Sequence, residues 1–133
     1  MTRQTGLTRI AAPEGMAPGA GYTHVVIGEG RVIAVSGQVA LDEHGDVVGE
    51  GDPEAQARQV FENLRRCLTA AGATFRDVVK LNYYVTDVAH MKSVRAVRDE
   101  FVGSDPLPAS TAVQVAGLVR PELLLEIEAL AVL

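Results

Sequence analysis

Between Leu123 and Val132 the chain reads Leu-Leu-Leu-Glu-Ile-Glu-Ala-Leu-Ala-Val, and this run limits the possible folds more than any other. Side chains alternate along a strand. Leu123, Leu125, Ile127, Ala129 and Ala131 therefore point one way, and Leu124, Glu126, Glu128, Leu130 and Val132 point the other. Two carboxylates share a face with three aliphatics. A strand that is otherwise nearly all apolar is expected to be covered on both sides. Under such cover a carboxylate is costly unless it is paired, hydrogen-bonded or protonated. One of the two is thus a candidate functional group, with a structural ion-pair partner as the plain alternative. A further strand is expected from Pro108 to Ala116, before a break at Gly117 to Glu122.

Upstream, Leu7 to Ala11 reads as a short strand followed by a glycine- and proline-bearing loop to Gly21. His24 to Ile27, Gly28-Glu29-Gly30 and Arg31 to Gln38 have the pattern of a hairpin with a three-residue glycine-bearing connection. Asp52-Pro53-Glu54 announces a helix, because Asp caps free N–H groups, Pro suits the first helical position and acid suits the positive end. Its apolar stripe is Ala57, Val60, Phe61, Leu64, Cys67, Leu68 and Ala71, and Gly72 stops it. Cys67 reads as a small buried hydrophobe. Val78 to Thr86 is the next strand, with Val79, Leu81, Tyr83 and Val85 toward helices and Val78, Lys80, Asn82, Tyr84 and Thr86 away. Asp87 then caps a second helix with the stripe Met91, Val94, Val97 or Arg98, and Phe101.

The length of 133 residues suits one domain over 1–133. Apolar runs fall far short of the roughly 18 residues that span a bilayer, and the N-terminus lacks a signal pattern, so the expectation is a cytoplasmic protein without a membrane partner. One cysteine excludes an intramolecular disulfide, and His24, His44 and His90 lack ligand spacing, so no metal is expected. A net charge of −5 without a basic stripe argues against nucleic acid as the partner.

Two helices of about 18 and 14 residues cover one face of a five- or six-stranded sheet but not both. The other face mixes Ser36, Lys80, Asn82, Tyr84 and Glu126 with Val32, Leu124 and Leu130, a combination that calls for a partner. The expectation is a homo-oligomer whose sheets pack face to face, with polar clefts between subunits.

Several spaced segments also carry a family resemblance. Ser36-Gly37-Gln38, Ala55-Gln56-Ala57-Arg58-Gln59 leading to Phe61-Glu62-Asn63-Leu64, Ala71-Gly72, Val85-Thr86-Asp87, and Pro108-Ala109 through Glu126-Ile127-Glu128-Ala129 resemble the RidA/YjgF family of reactive-intermediate deaminases. The likeness runs from about Tyr22 to Val132. It implies an α+β, chorismate-mutase-like fold, a mixed sheet with two helices on one face, and a homotrimer with clefts at the subunit interfaces. It also implies hydrolysis of a small enamine or imine substrate to a carbonyl compound and ammonia, without cofactor.

Carried over by position, the family's water-activating glutamate falls on Glu126, and its cleft-lining serine and tyrosine fall on Ser36 and Tyr22. The family's carboxylate-gripping arginine does not carry over, since that position, directly after Pro108-Ala109, is Ser110. Losing one partner of a desolvated charge pair costs about 2 to 5 kcal/mol, more than tenfold in affinity. The chain therefore reads as a divergent branch, with Ser110 as a substrate-binding candidate or a small residue that enlarges the cleft. Arg95 is a candidate replacement cation; its alternative is an ordinary surface pair with Asp99 four residues on. The rival to catalysis is a non-catalytic trimer that binds a metabolite or a protein.

Overall fold

The structure, a computed structural model, describes residues 6–133. Residues 1–5, counted in the domain expected over 1–133, lie outside the described residues. The elements follow in the order β1 (Thr8–Ile10), β2 (Val25–Ile27), β3 (Val32–Gln38), α1 (Pro53–Ala70), β4 (Val78–Val85), α2 (Met91–Phe101), β5 (Ala109–Gln114) and β6 (Leu125–Val132). The main sheet is mixed, in the order β3-β6-β4-β5, with β6 antiparallel to both neighbours and β5 parallel to β4. Among the described residues no helix is long and apolar enough to cross a membrane.

The expected hairpin is corrected. Strand β2 pairs with β1 as a separate two-stranded ribbon, and β3 pairs with β6, so the main sheet has four strands rather than five or six. Arg31 exchanges backbone hydrogen bonds of 2.9 and 2.8 Å with Leu133, so the link leads the chain along the end of β6 instead of folding it back. A Cβ at Gly28 would run into Leu7 and Val132, and one at Gly30, whose φ is +139°, into the Leu133 carbonyl. These glycines serve close approach, not a two-stranded turn.

Helix α1 begins as its sequence dictates. The Asp52 carboxylate accepts from the Ala55 N–H at 3.1 Å, and Pro53 fills the first turn. Its buried side is Gln56, Ala57, Val60, Phe61, Leu64 and Leu68, while Cys67 lies half-buried at the margin. Asp87 caps a 3-10 turn, Val88–His90, and that turn feeds α2, so the α-helical part is shorter than expected. The buried side of α2 is Met91, Val94, Val97 and Arg98.

Both helices cover the sheet face formed by Val35, Leu81, Tyr83, Val85, Leu125, Ile127, Ala129 and Ala131. The alternation expected of β6 is what forms. At the start of β4 a register irregularity between Val78 and Lys80 turns Val78 into the core, where Val79 was expected. The helix-free face keeps Val32 71% and Leu130 41% exposed, aliphatics that a partner would cover.

Candidate functional site

Two groups of side chains stand out, one on each face of the sheet. The first forms where the loop before β2 is tied to the start of β5. The Thr23 N–H donates to the Pro108 carbonyl at 3.1 Å and its hydroxyl to the Leu107 carbonyl at 2.5 Å. Arg98 donates through Nη1 to the Gly21 carbonyl at 2.8 Å. Gly21 has a φ of +80°, a conformation that side chains disfavour, and a Cβ at Gly19 would overlap the Tyr22 ring. Both glycines thus shape the loop that presents Tyr22.

Ser110 lies opposite Leu81 and Ala112 opposite Tyr83 in the β4–β5 register, so both share the helix side of the sheet. There a cavity of about 210 Å³ is lined by Tyr22, Tyr83, Arg95, Arg98, Ser110 and Ala112. Tyr83 is 2% exposed and its hydroxyl has no hydrogen-bond partner among the described residues. Burial pushes the phenol up to about 12 against the opposing pull of the nearby Arg98 charge, so it is a protonated donor at neutral pH. Arg98 is held by the Asp99 carboxylate at 3.1 and 2.9 Å. The expected Arg95–Asp99 pair is therefore corrected: Asp99 is taken by its own neighbour. Arg95 is exposed and makes no ion pair among the described residues.

The second group lies on the helix-free face. Glu126 stands opposite Tyr84, and Glu128 opposite Asn82. Glu128 Oε1 accepts from Asn82 Nδ2 at 3.1 Å and from the Tyr84 hydroxyl at 2.6 Å. That bond, with burial second, raises the Tyr84 pKa and keeps the phenol a donor. Glu128 is thus engaged structurally, as one of the two readings required. Ser36 lines a shallow cavity with Asn82 and Glu128. Glu126 is half-buried and makes no hydrogen bond to another described residue. It sits over Gly37, where β3 breaks register, and a Cβ there would overlap the Glu126 carboxylate.

Gly37→Ala is accordingly expected to displace that carboxylate by about 1 Å or more, the shift that restores ordinary contact distance. A crystal structure of the variant checks this, and an unmoved carboxylate would refute it.

Within one chain the two groups stay apart. Ser110 and Glu126 are two strands apart, about 10 Å across the sheet at the usual strand spacing, offset further along the strands because Ser110 pairs with Leu81 and Glu126 with Tyr84, and on opposite faces. Tyr22, Arg95 and Ser110 come together; on the other face Ser36 lines a cavity with Glu128, while Glu126 lies over the neighbouring Gly37. Tyr83 and Arg98 were not expected at a site. The available signal was an arginine on the apolar stripe of α2, which needs a polar destination.

A family model described as endoribonuclease L-PSP matches residues 12–133. A Rid-family protein of unknown function from Yersinia pestis, YyfB, is 40% identical over 96% of this chain and 99% of its own, with a TM-score of 0.85. The chain belongs to the RidA/YjgF family. RidA from an Antarctic Psychrobacter is 36% identical over 98% of this chain and 100% of its own, with a TM-score of 0.72. Rv2704 from Mycobacterium tuberculosis, a YjgF/YER057c/UK114 family member, is 30% identical over 96% and 99%, with a TM-score of 0.67. The resemblance in Ser36-Gly37-Gln38 and Glu126-Ile127-Glu128-Ala129 thus marks RidA/YjgF membership, and the mixed sheet with two helices is the fold of this RidA/YjgF chain.

Proposed function

We propose that this RidA/YjgF protein hydrolyses a small imine or enamine to a carbonyl compound and ammonia. The observation that carries the reading is Glu126, a half-buried carboxylate fitted over Gly37 and engaged by no other described residue. In the reaction Glu126 takes a proton from water as the water oxygen bonds to the iminium carbon. The resulting carbinolamine then breaks its C–N bond as that proton passes to nitrogen, and the freed Glu126 carboxylate takes the hydroxyl proton as the C=O bond forms and yields it to solvent, releasing ammonia and the carbonyl compound. A net charge of −5 without a basic stripe does not suit RNA cleavage, which the family description names.

The complete site needs two copies. One brings Tyr22, Arg95 and Ser110; the next brings Ser36 and Glu126, in a homotrimer joined through the helix-free faces. Support comes from the separation of the two groups within one chain and from the exposed Val32 and Leu130. The binding-only alternative draws on Ser110, which offers no charge to an anionic substrate.

Mixing inactive chains tests the shared site. Glu126→Gln chains keep a good first group and Tyr22→Ala chains keep a good second. Coexpressed at equal amounts, they place an intact pair at about one interface in four. Recovery of about a quarter of the wild-type ammonia release is expected where each variant alone gives almost none. No recovery in mixed trimers would overturn the shared site.

A further inference from the structure

Position 110 carries no charge, yet the cavity beside it is not neutral. Arg95 and Arg98 both line it, and the two guanidiniums differ in kind. Arg98 is committed: its side chain is 8% exposed, Asp99 offsets its charge, and Gly21 takes a third hydrogen bond. Arg95 is exposed and uncommitted, one helical turn before Arg98 at the cavity rim. The Tyr83 hydroxyl is a buried donor with no acceptor. Leaving such a donor unmatched costs free energy, and an incoming acceptor removes the cost.

We propose that α2 supplies the anion grip of this protein: Arg95 and the Tyr83 hydroxyl bind the carboxylate of a small monoanionic substrate, and Ser110 is small so that the Arg95 side chain can reach across. The inference rests on the cavity being the substrate-holding part of the hydrolytic site proposed above. Charge counting favours a monoanion over a phosphate dianion. Asp99 offsets Arg98, so the cavity offers one free positive charge. Size agrees: about 210 Å³ holds roughly seven water-sized groups at about 30 Å³ each. That is a carboxylate with a short carbon chain. Arg95 is accordingly a specificity-determining residue on a helix, doing work that a strand residue at position 110 cannot do here. Guanidinium rather than ammonium matters, because two parallel N–H bonds match a carboxylate.

Titration by NMR with propionate, its neutral isostere propionamide, and inorganic phosphate tests the assignment. Propionate is expected to shift residues around Tyr83 and Ser110 and to bind at least about tenfold more tightly than propionamide, as one charge-assisted pair dictates. Arg95→Gln abolishes that preference and leaves propionamide unaffected, while Arg95→Lys restores part of it. Tyr83→Phe keeps the ring and weakens propionate about fivefold, the loss of one hydrogen bond. Equal binding of propionate and propionamide, tighter binding of phosphate, or an Arg95→Gln protein that still prefers propionate would each overturn the proposal. Repeating the titration on Glu126→Gln separates the two readings. Propionate still binds there if the grip is as described, whether or not the wild-type protein hydrolyses any imine.

Discussion

Gln56→Leu is expected to lower the unfolding free energy by about 3 kcal/mol and the melting temperature by about 10 °C. Gln56 is fully buried on α1, yet it is polar at both ends of its amide. Nε2 donates to the Gly49 carbonyl at 3.2 Å and to the Glu122 carbonyl at 2.9 Å, and Oε1 accepts from the Leu124 N–H at 2.8 Å. Leucine keeps nearly the same volume and loses all three bonds. Gly49 retains the Asp52 N–H as a partner, but Glu122 and Leu124 are left without the Gln56 contact. Each buried backbone group left unmatched costs about 1 to 3 kcal/mol. The two groups lie just before β6, so Gln56 fixes the entry of the strand that carries Glu126. A urea melt decides the matter: a loss under about 1 kcal/mol would mean that water replaces the amide and that β6 is anchored elsewhere.

The same strand shows what the sequence makes legible. Alternation over Leu123 to Val132 placed Leu125, Ile127, Ala129 and Ala131 in the core because a strand's period is local and needs no knowledge of its neighbours. The caps of Asp52 and the stop at Gly72 are local for the same reason. The failures involve distant partners. The glycine link of Gly28 to Gly30 has the composition of a turn, and only its packing against Val132 and Leu133 reveals that the glycines make room for β6. The bulge at Val78 is set by pairing with a strand some fifty positions on, as in the Val78–Ala131 partnership.

Among the site residues, Arg95 and Asp99 have ideal spacing for a helical pair, but Arg98 is drawn into the cavity wall and takes the carboxylate first. Position along the chain singled out Tyr22, Ser36, Arg95, Ser110 and Glu126 through resemblance. Their division between two faces depends on the register of β4 with β5 and β6, which no periodicity encodes. Tyr83 escaped notice because its ring belongs to the core and only its hydroxyl belongs to the cavity.

Glu126→Gln is expected to reduce ammonia release from a hydrolysable imine by about 100-fold or more, with the melting temperature unchanged. The amide has the shape of the carboxylate but cannot take a proton from water. Stability is spared because Glu126 hydrogen-bonds to no other described residue, so nothing in the fold loses a partner. Glu128→Gln provides the contrast two residues away. Its carboxylate already serves Asn82 and Tyr84. Replacing it weakens the hydrogen bond that raises the Tyr84 pKa and removes the charge beside it, so the phenol is expected to titrate at lower pH, a change that ultraviolet absorbance reads directly. Activity should fall only a few-fold, the effect of a loosened neighbour rather than of a lost acid. Two variants, each the same single-atom exchange on one strand face, thus separate proton transfer from support. If Glu128→Gln removed activity as completely as Glu126→Gln, the Tyr84-bonded carboxylate would be the one handling water, and Gly37 would be shaping a bystander.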